Sequence, residues 1–158
     1  MKNKSLQSYG FWILLAEAAG LLSGFLSREG TVIFQETAIQ PPLSPPAILF
    51  PIVWTLLYAL MGIGAARVSN APDSKARSRG LNLFIAQLIV NFFWSLIFFN
   101  ARAYGFALLW LLLLFVLVLW MTLEFRKVDL LAALLQIPYL LWLAFAAYLN
   151  YGVFLMNV

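Results

Sequence analysis

The sequence predicts an all-α integral membrane protein, a bundle of five transmembrane helices, on three observations. Of its 158 residues, 64% are hydrophobic and only 10% are charged, whereas soluble domains run at about 45–50% apolar and about 25% charged. Ten Lys/Arg and six Asp/Glu cannot clothe a soluble domain of this length, so apolar surface must face lipid. The apolar residues also fall into five runs that reach or approach the roughly 20 residues needed to cross about 30 Å of hydrocarbon.

The first run, 9–26, follows Lys2 and Lys4 and contains Ala16-Glu17-Ala18, which loosely imitates a secretory signal. Glu17 interrupts what would have to be an unbroken apolar core, so the segment is read as a retained helix. Its Ala16, Gly20 and Gly24 recur every four residues and allow close approach of another helix. Ser27-Arg28-Glu29-Gly30 then opens the longest loop, which ends in Pro41-Pro42-Leu43-Ser44-Pro45-Pro46, a stiff, non-helical lead. The second helix is predicted over 47–68, with a small-residue face at Gly62, Ala65 and Ala66, and ends at Asn70-Ala71-Pro72-Asp73. For both small-residue patches, packing within the chain is favoured over a subunit interface. The third helix is predicted over 81–99, the fourth over 104–125 and the fifth over 130–155, separated by tight turns that force antiparallel neighbours. Pro138, inside the fifth, removes the backbone bond to Leu134 and predicts a kink one turn before Trp142.

Net charge is +4, but the basic residues are strung between apolar runs, so membrane lipids rather than nucleic acid are the expected partner. Lys2, Lys4, Arg67, Lys75, Arg77, Arg79, Arg126 and Lys127 flank one set of helix ends; only Arg28 and Arg102 flank the other. The positive-inside bias predicts a cell-membrane protein with a cytoplasmic N-terminus and with the C-terminus and Pro-rich first loop outside. Cysteine and histidine are absent, which removes disulfides, thiolate nucleophiles, imidazole bases and the usual nitrogen and sulfur metal ligands. No metal site and no resident cofactor are expected.

A rise of about 1.5 Å per residue converts position into depth. Trp54 comes about 10 Å down from the outer end of the second helix, Trp142 near the midplane of the fifth, Asn91 near the middle of the third and Trp94 one turn further out. Trp110, Tyr148 and Asn150 lie in the outer half. Tyr9, Trp12, Tyr104 and Trp120 fit an interfacial belt. Trp54, Trp94 and Trp142 lie deeper than a belt requires, where core packing and ligand contact are equally good accounts of a buried indole. Asn91 and Asn150 should face the bundle interior, as interhelical bonds before ligand recognition. Glu17 at mid-helix costs at least about 2.5–3.5 kcal/mol to insert; it is a protonated hydrogen-bonding group or a functional carboxylate.

Three fragments in order resemble the TspO family of tryptophan-rich sensory proteins, also called translocator proteins or peripheral benzodiazepine receptors. They are the Pro41–Pro46 run with Phe50-Pro51-Ile52-Val53-Trp54-Thr55-Leu56-Leu57-Tyr58 and Met61-Gly62; Gln87, Asn91, Trp94, Phe98 and Phe99; and Pro138-Tyr139-Leu140-Leu141-Trp142-Leu143-Ala144-Phe145-Ala146 with Leu149-Asn150-Tyr151. The resemblance implies a single domain over 1–158, a homodimer, and an outer-half pocket that takes porphyrins and similar flat hydrophobic ligands. It implies ligand contacts from Phe50, Trp54, Tyr58, Asn91, Trp94, Phe106, Trp142, Ala146 and Leu149, with the first loop as lid. Trp54 and Trp142 match the tryptophan pair implicated in porphyrin breakdown, and Ala146 the position whose bulk tunes binding. The basic residue that ends the family's cholesterol pattern is missing from Gly152-Val153-Phe154-Leu155-Met156-Asn157-Val158, so specific cholesterol binding is not expected.

Porphyrin reception or sensing is therefore the leading function, with no conventional enzyme chemistry. With neither His nor Cys as axial ligand, a metal-free tetrapyrrole suits the site, and Arg28 or Arg102 could take its propionates. Light-dependent porphyrin degradation on the indoles is a second reading. A proton-coupled exporter using Glu17 is a third, which an odd helix number and the lack of internal repeats disfavour.

Overall fold

The computed structural model describes residues 2–157, and the side chains of residues 5–157. The side chains of Lys2 and Lys4, and Val158, lie outside the described residues. Five helices are long and apolar enough to cross a membrane, at Ser5–Leu26, Leu49–Ser69, Lys75–Asn100, Tyr104–Val128 and Leu130–Met156. The described chain is 84% helical and contains no strand.

Helix α1 (Lys2–Leu26) begins before the expected 9, because helical hydrogen bonding continues through polar residues where the apolar run stops. Its closest neighbour is α3 (Leu49–Ser69). Gly62 makes that approach possible: a side-chain carbon there would lie 2.5 Å from the Ile13 Cα and 2.8 Å from its nitrogen. Higher up, Gly20 seats the Tyr58 ring in the same way, and Ala16, Ala65 and Ala66 are fully buried. These small residues are spent inside the chain, whereas Gly10 and Gly24 face open space.

The opening of the first loop is corrected by the structure. Ser27-Arg28-Glu29-Gly30 does not break the chain; α2 (Arg28–Thr37) follows α1 directly. It seats through Gly30, whose missing side chain admits the Phe99 carbonyl, and through Phe34, whose ring meets Phe98, Phe99 and Tyr104 at 5.2, 5.4 and 6.2 Å. Residues 38–48 are the non-helical lead. Pro41 and Pro42 preset a turn in which Ser44 donates to the Pro41 carbonyl, leaving Leu43 at φ 67°, a left-handed position usually given to glycine.

Helix α4 (Lys75–Ser95) starts earlier than 81 because Ser74 caps it, accepting from the Arg77 N–H at 3.1 Å. It ends in a π-helical turn, Leu96–Asn100. Helix α5 (Tyr104–Val128) runs back alongside it. Gly80 admits the Phe125 ring at one end, and the Trp110 indole donates to the Val90 carbonyl at 2.7 Å nearer the other. The last crossing is two helices, α6 (Leu130–Leu134) and α7 (Ile137–Met156). The break falls at Leu135–Gln136, so Pro138 starts a helix rather than kinking one, where its missing N–H has no partner to lose.

The core between α3, α4, α5 and α7 is Met61, Phe84, Leu111, Leu114, Val118, Met121, Phe125 and Leu143. Outward, Leu14, Leu21, Leu109 and Leu141 are 65–72% exposed, as side chains meant for lipid must be.

Candidate functional site

One face of α3 and one of α7 carry the aromatic residues singled out by sequence, and α4 supplies amides between them. Trp54 stacks on Tyr58, one helical turn on, with ring centres 5.4 Å apart and planes 30° apart; its ring also meets Tyr139 of α7 edge-on at 6.0 Å. Below these rings lies a continuous polar chain. The Tyr58 hydroxyl donates to Asn91 Oδ1 at 3.0 Å, Asn91 Nδ2 donates to the Tyr139 oxygen at 2.6 Å, and Tyr139 donates to Gln87 Oε1 at 2.9 Å. Gln87 Nε2 reaches the Met61 sulfur at 3.7 Å. All four polar members are under 9% exposed. Each would be costly unpaired in hydrocarbon, and paired they fix α3, α4 and α7 in one arrangement.

Trp142 stands one turn beyond Tyr139, half-buried, with Phe50 edge-on at 5.8 Å and Phe145 at 5.7 Å. Between α3 and α7 an apolar groove of about 490 Å³ is lined by Val53, Leu57, Leu60, Pro138, Trp142 and Phe145, among others. Of the residues expected at the site, Trp142 lines this groove and Phe50 meets Trp142, whereas Trp54, Tyr58 and Asn91 are joined to one another through the stack and the polar chain. Ala146 and Leu149 are buried further along α7, at 8% and 9% exposure. Trp94 lies toward the first-loop end, donating to Asn150 Oδ1 at 3.3 Å and stacked on Phe98 at 5.0 Å, while Asn150 donates to the Tyr104 carbonyl at 2.8 Å. Phe106 stands apart: it is 54% exposed and its ring partner is Trp110.

The lead 38–48 is fastened to the last turns of α7. The Asn157 carboxamide clasps the Ile39 backbone twice, accepting from its N–H at 2.9 Å and donating to its carbonyl at 2.8 Å. The Tyr148 hydroxyl donates to the Pro42 carbonyl at 2.9 Å, and Pro41 sits where a side chain on Gly152 would be. Arg28 lies over the Phe25 ring at 4.2 Å and within 3.9 Å of Glu29, while Arg102 is exposed in a left-handed turn at φ 52°. Glu17 is half-buried on α1, next to the fully buried Ala16.

Tyr139, Gln87, Tyr148 and Asn157 carry this architecture and were not singled out as site residues. Gln87 is signalled by its spacing of four from Asn91, which puts both on one helix face. The partners of Tyr148 and Asn157 lie 106 and 118 residues away, and no local pattern announces them. Chemically, the aromatic layer can stack and enclose a flat apolar molecule. No cluster of potential metal ligands occurs among the described residues.

Residues 12–156 match the model of the TspO/MBR family. The chain is 33% identical to a tryptophan-rich protein TspO of Chlorobaculum tepidum, over 98% of this chain and 99% of that one. It is 38% identical to a translocator protein of Ovis aries over 90% and 85% of the two chains. It is 32% identical to a tryptophan-rich sensory protein of Cereibacter sphaeroides, over 75% and 73%.

Proposed function

The chain belongs to the TspO/MBR family of multi-pass membrane proteins, and from that premise we propose that it is a receptor for porphyrins and related flat hydrophobic ligands. The observation that carries the reading is the Trp54–Tyr58–Tyr139 stack beside an apolar groove edged by Trp142. A macrocycle gains affinity there by burying its faces against rings already held by the polar chain beneath, so little ordering is required on binding. The Lys/Arg bias puts this end of the bundle outside.

Quenching of intrinsic tryptophan fluorescence by protoporphyrin tests the proposal. Trp54→Ala and Trp142→Ala should each weaken binding by about tenfold; unchanged binding in both would sink it. If the receptor also promotes breakdown of its ligand, bound porphyrin should bleach more slowly in Trp142→Phe under equal illumination.

The third reading, proton-coupled export, is favoured by one feature: Glu17, half-buried in the first membrane-length helix, makes no hydrogen bond or ion pair among the described residues. Transport in proteoliposomes that survives Glu17→Gln would exclude it.

A further inference from the structure

At the opposite end from the groove, the last turns of α5 border a second cavity, of about 500 Å³, lined by Trp120, Leu123, Glu124, Arg126 and Lys127. Its walls are unlike those of the aromatic layer. Trp120 and Leu123 are 49% exposed and present apolar surface to the membrane. Glu124 is only 3% exposed, and its Oε1 accepts from Lys127 at 2.8 Å and Arg79 at 3.3 Å. Its second oxygen, Oε2, is buried without a partner. Arg126 is exposed and makes no ion pair among the described residues. Two cations thus pair with one oxygen of the carboxylate while its other oxygen lacks a donor, and Arg126 lies uncommitted in the same cavity wall.

We propose that this cavity binds an anionic phospholipid whose phosphodiester headgroup carries a free hydroxyl, of the phosphatidylglycerol type. The excess positive charge of Arg79, Arg126 and Lys127 selects an anionic diester over a zwitterionic one, with Arg126 as the uncommitted bidentate partner for the phosphate. The headgroup hydroxyl donates to Glu124 Oε2, removing the cost of a buried unpaired acceptor. The acyl chains lie along Leu123 and the Trp120 ring, which sits at the depth where an indole favours the headgroup boundary. The site is independent of the porphyrin reading: it lies on other residues, at the other end of the bundle.

The test compares lipids of equal charge. Purified protein in a neutral detergent is titrated with short-chain phosphatidylglycerol, phosphatidylmethanol, which is anionic but has no headgroup hydroxyl, and phosphatidylcholine, with native mass spectrometry as readout. Phosphatidylglycerol should bind at least about fivefold more tightly than phosphatidylmethanol, and phosphatidylcholine more weakly than either. Arg126→Ala, which leaves the Glu124 ion pairs intact, should weaken both anionic lipids alike; Glu124→Gln should shrink the gap between them to within about twofold. Equal binding of phosphatidylglycerol and phosphatidylmethanol by the unaltered protein overturns the hydroxyl contact. Binding of both that is indifferent to Arg126→Ala, or equal binding of phosphatidylcholine, overturns the site.

Discussion

Tyr58 is held on two sides, by the polar chain through Asn91 and by the bare backbone of Gly20. A methyl group at Gly20 would overlap the ring, and the ring cannot swing away without breaking its bond to Asn91. Gly20→Ala should therefore lower stability by about 1–3 kcal/mol, seen as an earlier thermal unfolding midpoint in detergent. Gly24→Ala, one turn on, meets nothing within 4 Å and should be neutral or stabilising by up to about 1 kcal/mol. Sequence alone gave the two glycines the same standing, because a spacing of four shows a shared face but not where the neighbour ends. Asn91 was legible as an inward-facing group, since a carboxamide in an apolar run has nowhere else to go. Its partners were not, because Tyr139 lies 48 residues away and its phenol looks, in sequence, like any other aromatic in a membrane helix.

Among the elements, hydropathy and the proline run found the five membrane-length helices and the non-helical lead and missed α2. Helix α2 is rich in Arg28, Glu29, Gln35 and Glu36 and touches the bundle through little more than Gly30 and Phe34, so its apolar signal is too thin to register. The turn between α5 and α6 is set by Asp129, which receives Arg67 at 3.1 and 2.8 Å and caps α6 by accepting from the Ala132 N–H at 2.8 Å. The Arg67 hydrogen bonds, helped by the backbone donors, hold the Asp129 carboxyl below the usual range. A carboxyl lowered in the folded state contributes stability above its unfolded value of about 3.9 and loses it as pH falls through the lower folded value. The pair is partly exposed, so the effect is about 1 kcal/mol. Melting midpoints taken from pH 6 down to pH 3 should fall less steeply in Asp129→Asn than in the unaltered protein. At the other end, Asn157→Ala removes both bonds to Ile39. Backbone amides in 38–48 should then exchange with deuterium at least about fivefold faster while those of α5 stay unchanged.

For the whole molecule, five apolar runs in 158 residues were enough to fix the number of crossings, and the clustering of basic residues at one set of helix ends supplies a direction that geometry alone lacks. The absence of cysteine makes that direction measurable. Ser44→Cys in the lead and Ser74→Cys at the start of α4 place single thiols at opposite ends of the bundle. A membrane-impermeant maleimide added to intact cells should label the first and spare the second until the membrane is opened. The reverse pattern would invert the proposed receptor and put its groove in the cytoplasmic leaflet.

The π-helical turn at Leu96–Asn100 has a consequence for chain length. A π turn spends one residue more than an α turn for almost no extra rise, so the segment carries slack. Removing one residue there would let the turn close as an ordinary α turn, leaving the span of the membrane and the facing of the residues after it nearly unchanged. The Asn100 bond to the Leu26 carbonyl, now 3.0 Å, and the seat of the Phe99 carbonyl at Gly30 should survive it. In the regular turns of α4 the same deletion would swing every later residue by about 100°, so a one-residue alignment gap carries far less structural meaning here than a few residues earlier.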